Sequence, residues 1–406
     1  MLNKESNELL CRVGPGTPMG NMLRQFWVPA LRSAKLEAGG APERVRLFGE
    51  NFVAFRGSDG RVGFLDEGCP HRGVSLALAR NEDCALRCIF HGWKINVDGQ
   101  VVEVPSEPAG SNLASKIKVN HYPVRDAGGV IWVWLGQGEQ PSPFPNIEFT
   151  TLPVEQVLVR KGIVHCNWVQ ILEGFLDSAH VTALHKTWLP KDNSTQGTFP
   201  GMMGDMAPRY EIEERPYGFM ANAKRAWPDG TQVNRATEYI LPWATIIPSA
   251  LKTIHSITIA VPIDDEYCIY WNISWDTENP IDAESYDAVA GIGTLGPDPD
   301  DIYFPRGTAD QVWGQNRELM KQGNFSGFTA IPIEDFAVQE SQGVFADRSK
   351  EHLGASDVAV IRMRRILLDM AKDYQDGKTP RSLDQQIAYD QIHGSHEVIL
   401  GGAVKN

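Results

Sequence analysis

An α+β chain in two parts is what this sequence predicts: an N-terminal all-β domain of small antiparallel sheets, then a larger domain whose antiparallel sheet is flanked by helices. Three observations lead there. Short alternating strands and turn residues fill the chain to about residue 136, and a Gly- and Pro-rich stretch, Gly136 to Pro145, then interrupts the pattern. Beyond it, strands between Arg209 and Trp275 stand among helical stretches without the regular βαβ alternation of a parallel sheet. The domains are therefore placed at 1–145 and 146–406, with the first core at about 27–136 and its N-terminal segment a candidate to pack on the second domain.

Taken in order, Val45 to Phe48 and Phe52 to Phe55 alternate as strands, closed by the turn Gly57-Ser58-Asp59-Gly60. Lys94 to Val102 repeats strand-turn-strand around Asn96-Val97-Asp98-Gly99, and the apolar run Val130 to Leu135 reads as a closing buried strand. In the second part a strand spans Val157 to Val164, a helix begins near Asn167, and two helical stretches follow the strands, about Glu334 to Lys350 and Ala359 to Tyr374.

Between the first strands lie Cys69-Pro70-His71 and Cys88-Ile89-Phe90-His91, with sixteen residues separating His71 from Cys88. Two thiolates and two imidazoles on two short loops are the ligand set of a Rieske 2Fe-2S cluster, the cysteines on one iron and the histidines on the other. Gly68, Pro70, Gly73 and Gly92 suit tight loops whose N–H groups can turn toward the sulfurs. A structural zinc site uses the same four side-chain types and is the alternative. The six cysteines then divide into two cluster ligands and four buried or inert thiols, as a reducing compartment favours.

Composition narrows the rest. With 42% hydrophobic and 22% charged residues the chain is of globular type, and a net charge of −13 argues against nucleic acid. No run suits a membrane span, and the polar start, Met1 to Leu10, lacks the apolar core of a signal peptide, so a cytoplasmic location is expected.

The densest chemistry of the second part is the segment from Glu173 to His185. On a helix, Glu173, Asp177 and His180 fall within about 60° of one another, whereas His185 stands about 140° from His180, so a break is expected between Val181 and Leu184. Two core histidines with hydrogen-bonded partners would be the plain reading. A one-electron donor needs an acceptor, however, and two imidazoles with one carboxylate bind Fe(II) while leaving one face open. Asp335 is the chosen carboxylate, sharing a helical face with Gln339 and Gln342; Glu334 and Glu340 are its rivals, and an ordinary acid at a helix N-terminus is the plain alternative.

The Cys-Pro-His-Arg-Gly and His-Gly-Trp contexts resemble the Rieske domains of oxygenases, and of small Rieske ferredoxins, over about Val45 to Gly136. Together with Arg12 to Gly20, Asn167 to His185 and Glu334 to Glu340, they make the chain similar over nearly its whole length to the oxygenase (α) component of Rieske non-haem iron aromatic-ring-hydroxylating oxygenases, in the phthalate dioxygenase-like group. The resemblance implies iron ligation by His180, His185 and Asp335, and gives Asp177 the task of linking an iron-ligand histidine to a cluster histidine of a neighbouring subunit. It further implies a homotrimer or stacked trimers, a separate flavin and iron-sulfur reductase (or reductase plus ferredoxin), and reaction of O2 with an aromatic acid such as a phthalate, chlorobenzoate or phenoxybenzoate. O-demethylation of an aromatic acid, or electron transfer without oxygenase activity, are the alternative outcomes. Glu173 receives no role.

For the acid's carboxylate, the strand Phe219 to Trp227 places Arg225 on the face of Phe219, Ala221 and Ala223. An arginine there either snorkels to the surface or turns inward to meet an anion. Arg209 and Arg235 are rival anchors.

Overall fold

The computed structural model describes residues 2–138, 140–189, 200–249, 253–293, 295–304 and 306–401. The chain divides into two units, Gly14–Gly16 with Leu23–Phe144, and Met1–Val13 with Thr17–Met22 and Pro145–Asn406.

In the first unit, strands β1 (Trp27–Arg32), β2 (Glu43–Leu47), β3 (Glu50–Arg56), β4 (Val62–Asp66), β5 (Arg80–Glu82), β6 (Ala85–Arg87), β7 (Lys94–Asn96), β8 (Val101–Glu103), β9 (Val124–Ala127) and β10 (Val130–Trp134) form three antiparallel sheets, ordered β1-β10-β9, β2-β3-β4 and β5-β6-β7-β8. Every residue of β10 is buried, with Trp134 opposite Trp27 of β1. The β7–β8 turn closes because Asn96 Oδ1 accepts from the N–H groups of Asp98 and Gln100, while Gly99, at φ +77°, lies against the Val119 carbonyl where a Cβ would not fit. Val53, Phe55, Leu65, Leu76, Leu86 and Ile95 form a core that also holds Cys69, Cys88 and Trp93. The sulfurs of the two loops thus begin inside the apolar core.

The second unit is built on an eight-stranded antiparallel sheet of β11 (Val157–Val164), β12 (Arg209–Arg215), β13 (Gly218–Ala226), β14 (Gln232–Ile240), β15 (Ala244–Ile247), β16 (Ile254–Pro262), β17 (Cys268–Asp276) and β18 (Ser395–Ile399). Its order is β11-β17-β16-β15-β14-β13-β12, with β18 added on β14. Period-two alternation puts Arg235, Thr237, Thr258 and Asn272 on one face, and Ile257, Ile273 and Trp275 on the other. The helices are α1 (Lys4–Cys11), α2 (Pro18–Leu23), α3 (Trp168–Leu176), α4 (Ala283–Ala290), α5 (Arg317–Lys321), α6 (Ile331–Ser341) and α7 (Val358–Gln375). Phe175 of α3 and Phe336 of α6 meet the ring of Tyr270 on β17 at 5.7 and 5.1 Å, which seats both helices over the first face.

The span of α6 differs from the sequence reading. Where Glu334 to Lys350 was expected, α6 starts earlier, with Pro332 in its first turn, and stops at Ser341, two residues before Gly343 at φ +91°. The chain beyond carries Arg348 inward. Its guanidinium and that of Arg364 on α7 both grip Glu173, through bonds of 2.8 and 2.6 Å to Oε1, and Arg348 also reaches Asn7 of α1. Glu173 is therefore the anion of a buried ion network. Burial alone would raise its carboxyl, and the two guanidiniums more than reverse this.

Candidate metal centres

Two loops of the first unit are folded alike. In one, the Cys69 N–H donates to the Val74 carbonyl at 2.8 Å and the Gly73 N–H returns to Cys69; in the other, Cys88 donates to Trp93 and Gly92 returns to Cys88, at 2.8 and 2.9 Å. Gly73 and Gly92, each four residues after its cysteine, sit at φ +75° and +74°, where a side chain is strained. The loops differ by one residue in where the histidine falls. His71 lies flat on Trp93 (centroids 4.7 Å, 6° between planes) and stands edge-on to His91 at 4.5 Å.

Burial pushes the Cys69 thiol up to about 11; the N–H groups of His71 and Arg72 point at the sulfur and work the other way, while Cys88 beside it adds to the rise. A bound metal would favour the Cys69 thiolate against that burial. His91 Nδ1 is buried without a hydrogen-bond partner, as a donor atom waiting for a metal would be. One zinc ion would need all four donors drawn together. Among the described residues, three or more such donors come within 4.8 Å of one another in two places, and Cys69, His71, Cys88 and His91 are not one of them. The wider set fits a two-iron cluster.

The second unit holds the other centre. Asn167 caps α3 through its side chain, and the helix ends at Leu176. This corrects the expectation of one helix carrying Glu173, Asp177 and His180 together with a first break after Val181. The stop has a tertiary cause. The Ser178 N–H donates to the Tyr210 hydroxyl at 2.7 Å, and the Ser178 carbonyl is held by Arg225 at 2.7 Å, so the helix cannot run on. Asp177 becomes the cap, Oδ1 accepting from the Ala179 N–H at 2.7 Å, and a short 3-10 turn, His180–Thr182, then brings His180 round. Glu173 stays behind with its arginines.

Nε2 of His180, Nε2 of His185 and Oδ1 of Asp335 form a near-equilateral triangle, with sides of 3.2, 3.3 and 3.5 Å. Neighbouring ligands about 2.1 Å from a metal stand about 3 Å apart, so the triangle matches one face of an octahedron and leaves the opposite face open. Each imidazole is held from behind by a carboxylate: His185 Nδ1–H donates to Glu334 at 2.6 Å, and His180 Nδ1 lies 3.4 Å from Asp177. Burial works against protonation of His185, but Asp335 and Glu334 outweigh it and raise the imidazole to about 9. Of the two rival carboxylates, Glu334 thus lies behind a histidine. Glu340 turns away to the His165 N–H and Arg306.

The triangle opens on a cavity of about 280 Å³ between α3, α6 and the sheet, lined also by Phe175, Arg235, Thr258 and Asn272. The three sequence-derived arginines separate here. Arg209 is exposed at the start of β12, and Arg225 is buried but spent on Ser178 and the Asp205 carbonyl. Neither lines the cavity. Arg235 does, 4% exposed, with one N–H on the Pro248 carbonyl. Burial, with Arg225 nearby, pushes it down to about 9.

Both parts of the chain have counterparts among known proteins. Residues 26–123 match the Rieske [2Fe-2S] domain, and residues 133–400 match the family described as LigXa C-terminal domain like. The phthalate 4,5-dioxygenase oxygenase subunit of Pseudomonas putida is 40% identical over 93% of this chain and 88% of its own length. The chain belongs to the Rieske oxygenases. Another oxygenase subunit of this kind, that of the 3-chlorobenzoate-3,4-dioxygenase of Comamonas testosteroni, is 34% identical over 95% of this chain and 92% of its own. The fold is also that of NdmA from Pseudomonas putida CBB5, with a TM-score of 0.64 at 18% identity over 93% and 100% of the two chains. As a Rieske oxygenase this chain is an enzyme with a 2Fe-2S cluster in its N-terminal domain and a mononuclear iron in its catalytic domain. No helix among the described residues is long and apolar enough to cross a membrane.

Proposed function

We propose that this Rieske oxygenase hydroxylates an aromatic carboxylic acid, with Cys69, His71, Cys88 and His91 holding the cluster, His180, His185 and Asp335 holding the iron, and Arg235 receiving the substrate's carboxylate. A buried guanidinium in the wall of the cavity onto which the donor triangle opens is the observation that carries the reading. A guanidinium so placed can give a substrate carboxylate charge-assisted, bidentate hydrogen bonds. The aromatic acids named for the two similar oxygenase subunits support the same class.

When bound, the cluster supplies electrons singly and the iron offers the site at which oxygen is reduced. The chain does the rest. Glu334 and Asp177 fix the two imidazoles, Arg225 fixes the turn that carries Asp177, and Phe175 and Tyr270 wall the ring while Arg235 sets which edge it presents. Dihydroxylation would add both oxygen atoms of O2, two electrons and two protons to the ring, giving a cis-dihydrodiol. A separate reductase would provide the electrons, and in a ring of three chains each cluster would serve a neighbour's iron through Asp177. Its side chain is 29% exposed and leans on His180, as that role requires.

The test is substrate-coupled oxygen uptake by the iron-loaded protein with a reductase, across benzoates, phthalates, phenoxybenzoates and their amides. Uptake coupled to product with acids alone is expected. Uptake with the amides as fast as with the acids would overturn the carboxylate reading, and a Rieske electron-spin signal without any bound mononuclear iron would overturn the whole.

A further inference from the structure

We propose that Glu148, His255 and His393 form a second divalent-metal site in the catalytic unit, taking Zn2+ or an ion of similar preference as a brace for the C-terminal strand. These are the other residues, besides the iron triangle, whose donor atoms come within 4.8 Å of one another among the described residues.

Three segments, each more than a hundred residues from the next, bring them together. Glu148 opens a 3-10 turn, His255 lies on β16, and His393 precedes β18. On β16, Ser256 and Thr258 line the cavity, so His255 faces the opposite side of the sheet, directly across from Trp275. The cluster is thus separate from the iron triangle.

The positions are held from outside the cluster. Gly394 lies so close to Pro248 that a Cβ would come within 2.9 Å of its nitrogen, and Ile392 is buried, which pins His393 on both sides. Trp275 Nε1–H donates to Glu148 Oε2 at 2.7 Å, orienting the carboxylate as the outer partner of a metal ligand does. The imidazole rings of His255 and His393 lie 4.5 Å apart.

What points to an ion is His393 Nδ1. It is buried, makes no hydrogen bond, and stands 3.9 Å from Glu148 Oε2, too far for one. Two imidazoles and one carboxylate are a zinc ligand set, and shifts of about 1 Å would draw the donors to bonds of about 2.1 Å. Glu148 and His393 remain 25% and 34% exposed, so water can enter as the fourth ligand. Bound metal would tie residues 148, 255 and 393 together and hold β18 on β14.

The experiment equilibrates the protein, its cluster and mononuclear iron loaded and counted, with Zn2+ alone, then measures zinc, iron and the thermal midpoint. One zinc per chain beyond an unchanged iron count is expected, with a raised midpoint. His393→Gln and Glu148→Gln should each weaken zinc binding at least about 10-fold, the loss that even an outer partner of a ligand brings, and remove the rise. His180→Ala should keep the extra zinc. Zinc entering only as iron leaves, or binding unchanged in both Gln variants, overturns the proposal.

Discussion

Glu334 stands 2.6 Å from Nδ1 of His185, while its chain neighbour Asp335 reaches Nε2 of the same ring from the other side at 3.3 Å. One helical turn of α6 therefore grips both ends of one imidazole. The second oxygen of Glu334 accepts from the Ser326 hydroxyl, so the carboxylate cannot swing into the triangle of His180, His185 and Asp335.

Glu334→Gln should accordingly lower iron occupancy or turnover by roughly 10- to 100-fold, the usual cost of losing a carboxylate behind a metal-ligating histidine. Iron analysis with electron-spin spectroscopy checks it. The cluster signal should persist, and full mononuclear iron with full turnover would refute the role.

Glu173, which lies one residue before the cavity-lining Gly174, should matter for stability alone. Glu173→Gln leaves the guanidiniums of Arg348 and Arg364 buried without their shared anion, a loss of about 3–5 kcal/mol. Urea unfolding of the catalytic unit's signal measures this. A change below about 1 kcal/mol would mean that water or Glu351 replaces the missing charge.

Arg235→Gln should raise KM for carboxylated aromatics by roughly 10- to 100-fold, as expected for a lost hydrogen bond to a charged group, while leaving neutral analogues nearly unaffected. Arg225→Met should behave differently. It releases the Ser178 carbonyl, and kcat should fall for both kinds of substrate because the turn carrying Asp177 loosens. Parallel KM effects of the two substitutions would reverse the assignment.

A pH effect follows from His396, which pairs in register with Arg235 and lies 2.9 Å from the Pro200 carbonyl, to which its neutral ring donates. Burial first, and then Arg235, push it down to about 4. The unfolded chain takes up that proton near 6.5, so between 6.5 and 4 the unfolded state binds more protons than the folded one. The contribution is complete above pH 6.5 and fades as pH falls toward 4, on the order of 1–3 kcal/mol. Urea midpoints at pH 7 and 4.5 should therefore drop less in His396→Gln than in the parent; equal drops would remove His396 as the cause.

Much of this was legible in residue order, because cluster ligation and iron ligation need fixed side-chain types at short spacings. The strand Val157–Val164 stands where its pattern places it, and Cys69, His71, Cys88 and His91 lie on two short loops as their spacing suggests, whereas His180 comes round on a separate 3-10 turn instead of the expected helix. What local pattern could not carry was set by distant contacts. The spacing of Glu173, Asp177 and His180 is ideal for one helical face, yet Tyr210 and Arg225, more than thirty residues on, end the helix between them. Arg225 and Arg235 both alternate inward, and only the stacking of helices over the sheet decides which meets the cavity. Strand β18 went unseen because Ser395 to Ile399 is half exposed and gains its strand from pairing with β14. Glu334 was read as a rival ligand, since neighbouring acids on a helix look alike until one has a histidine beside it.

Asp177→Asn separates two roles that the wild-type side chain combines. Asn keeps an oxygen to cap the Ala179 N–H, so the turn and the iron triangle should survive, but the charge that leans on His180 is gone. That charge is held in the folded state: burial raises the carboxyl, and the bonds from His180 and the Ala179 N–H more than reverse it, leaving Asp177 below its ordinary value. If Asp177 links neighbouring centres, the variant should retain cluster and iron while single-turnover reoxidation of the reduced cluster slows by roughly 10- to 100-fold. Slow reoxidation accompanied by iron loss would instead make Asp177 a positioning residue for His180 alone, and an unchanged rate with both centres full would leave it no part in electron transfer.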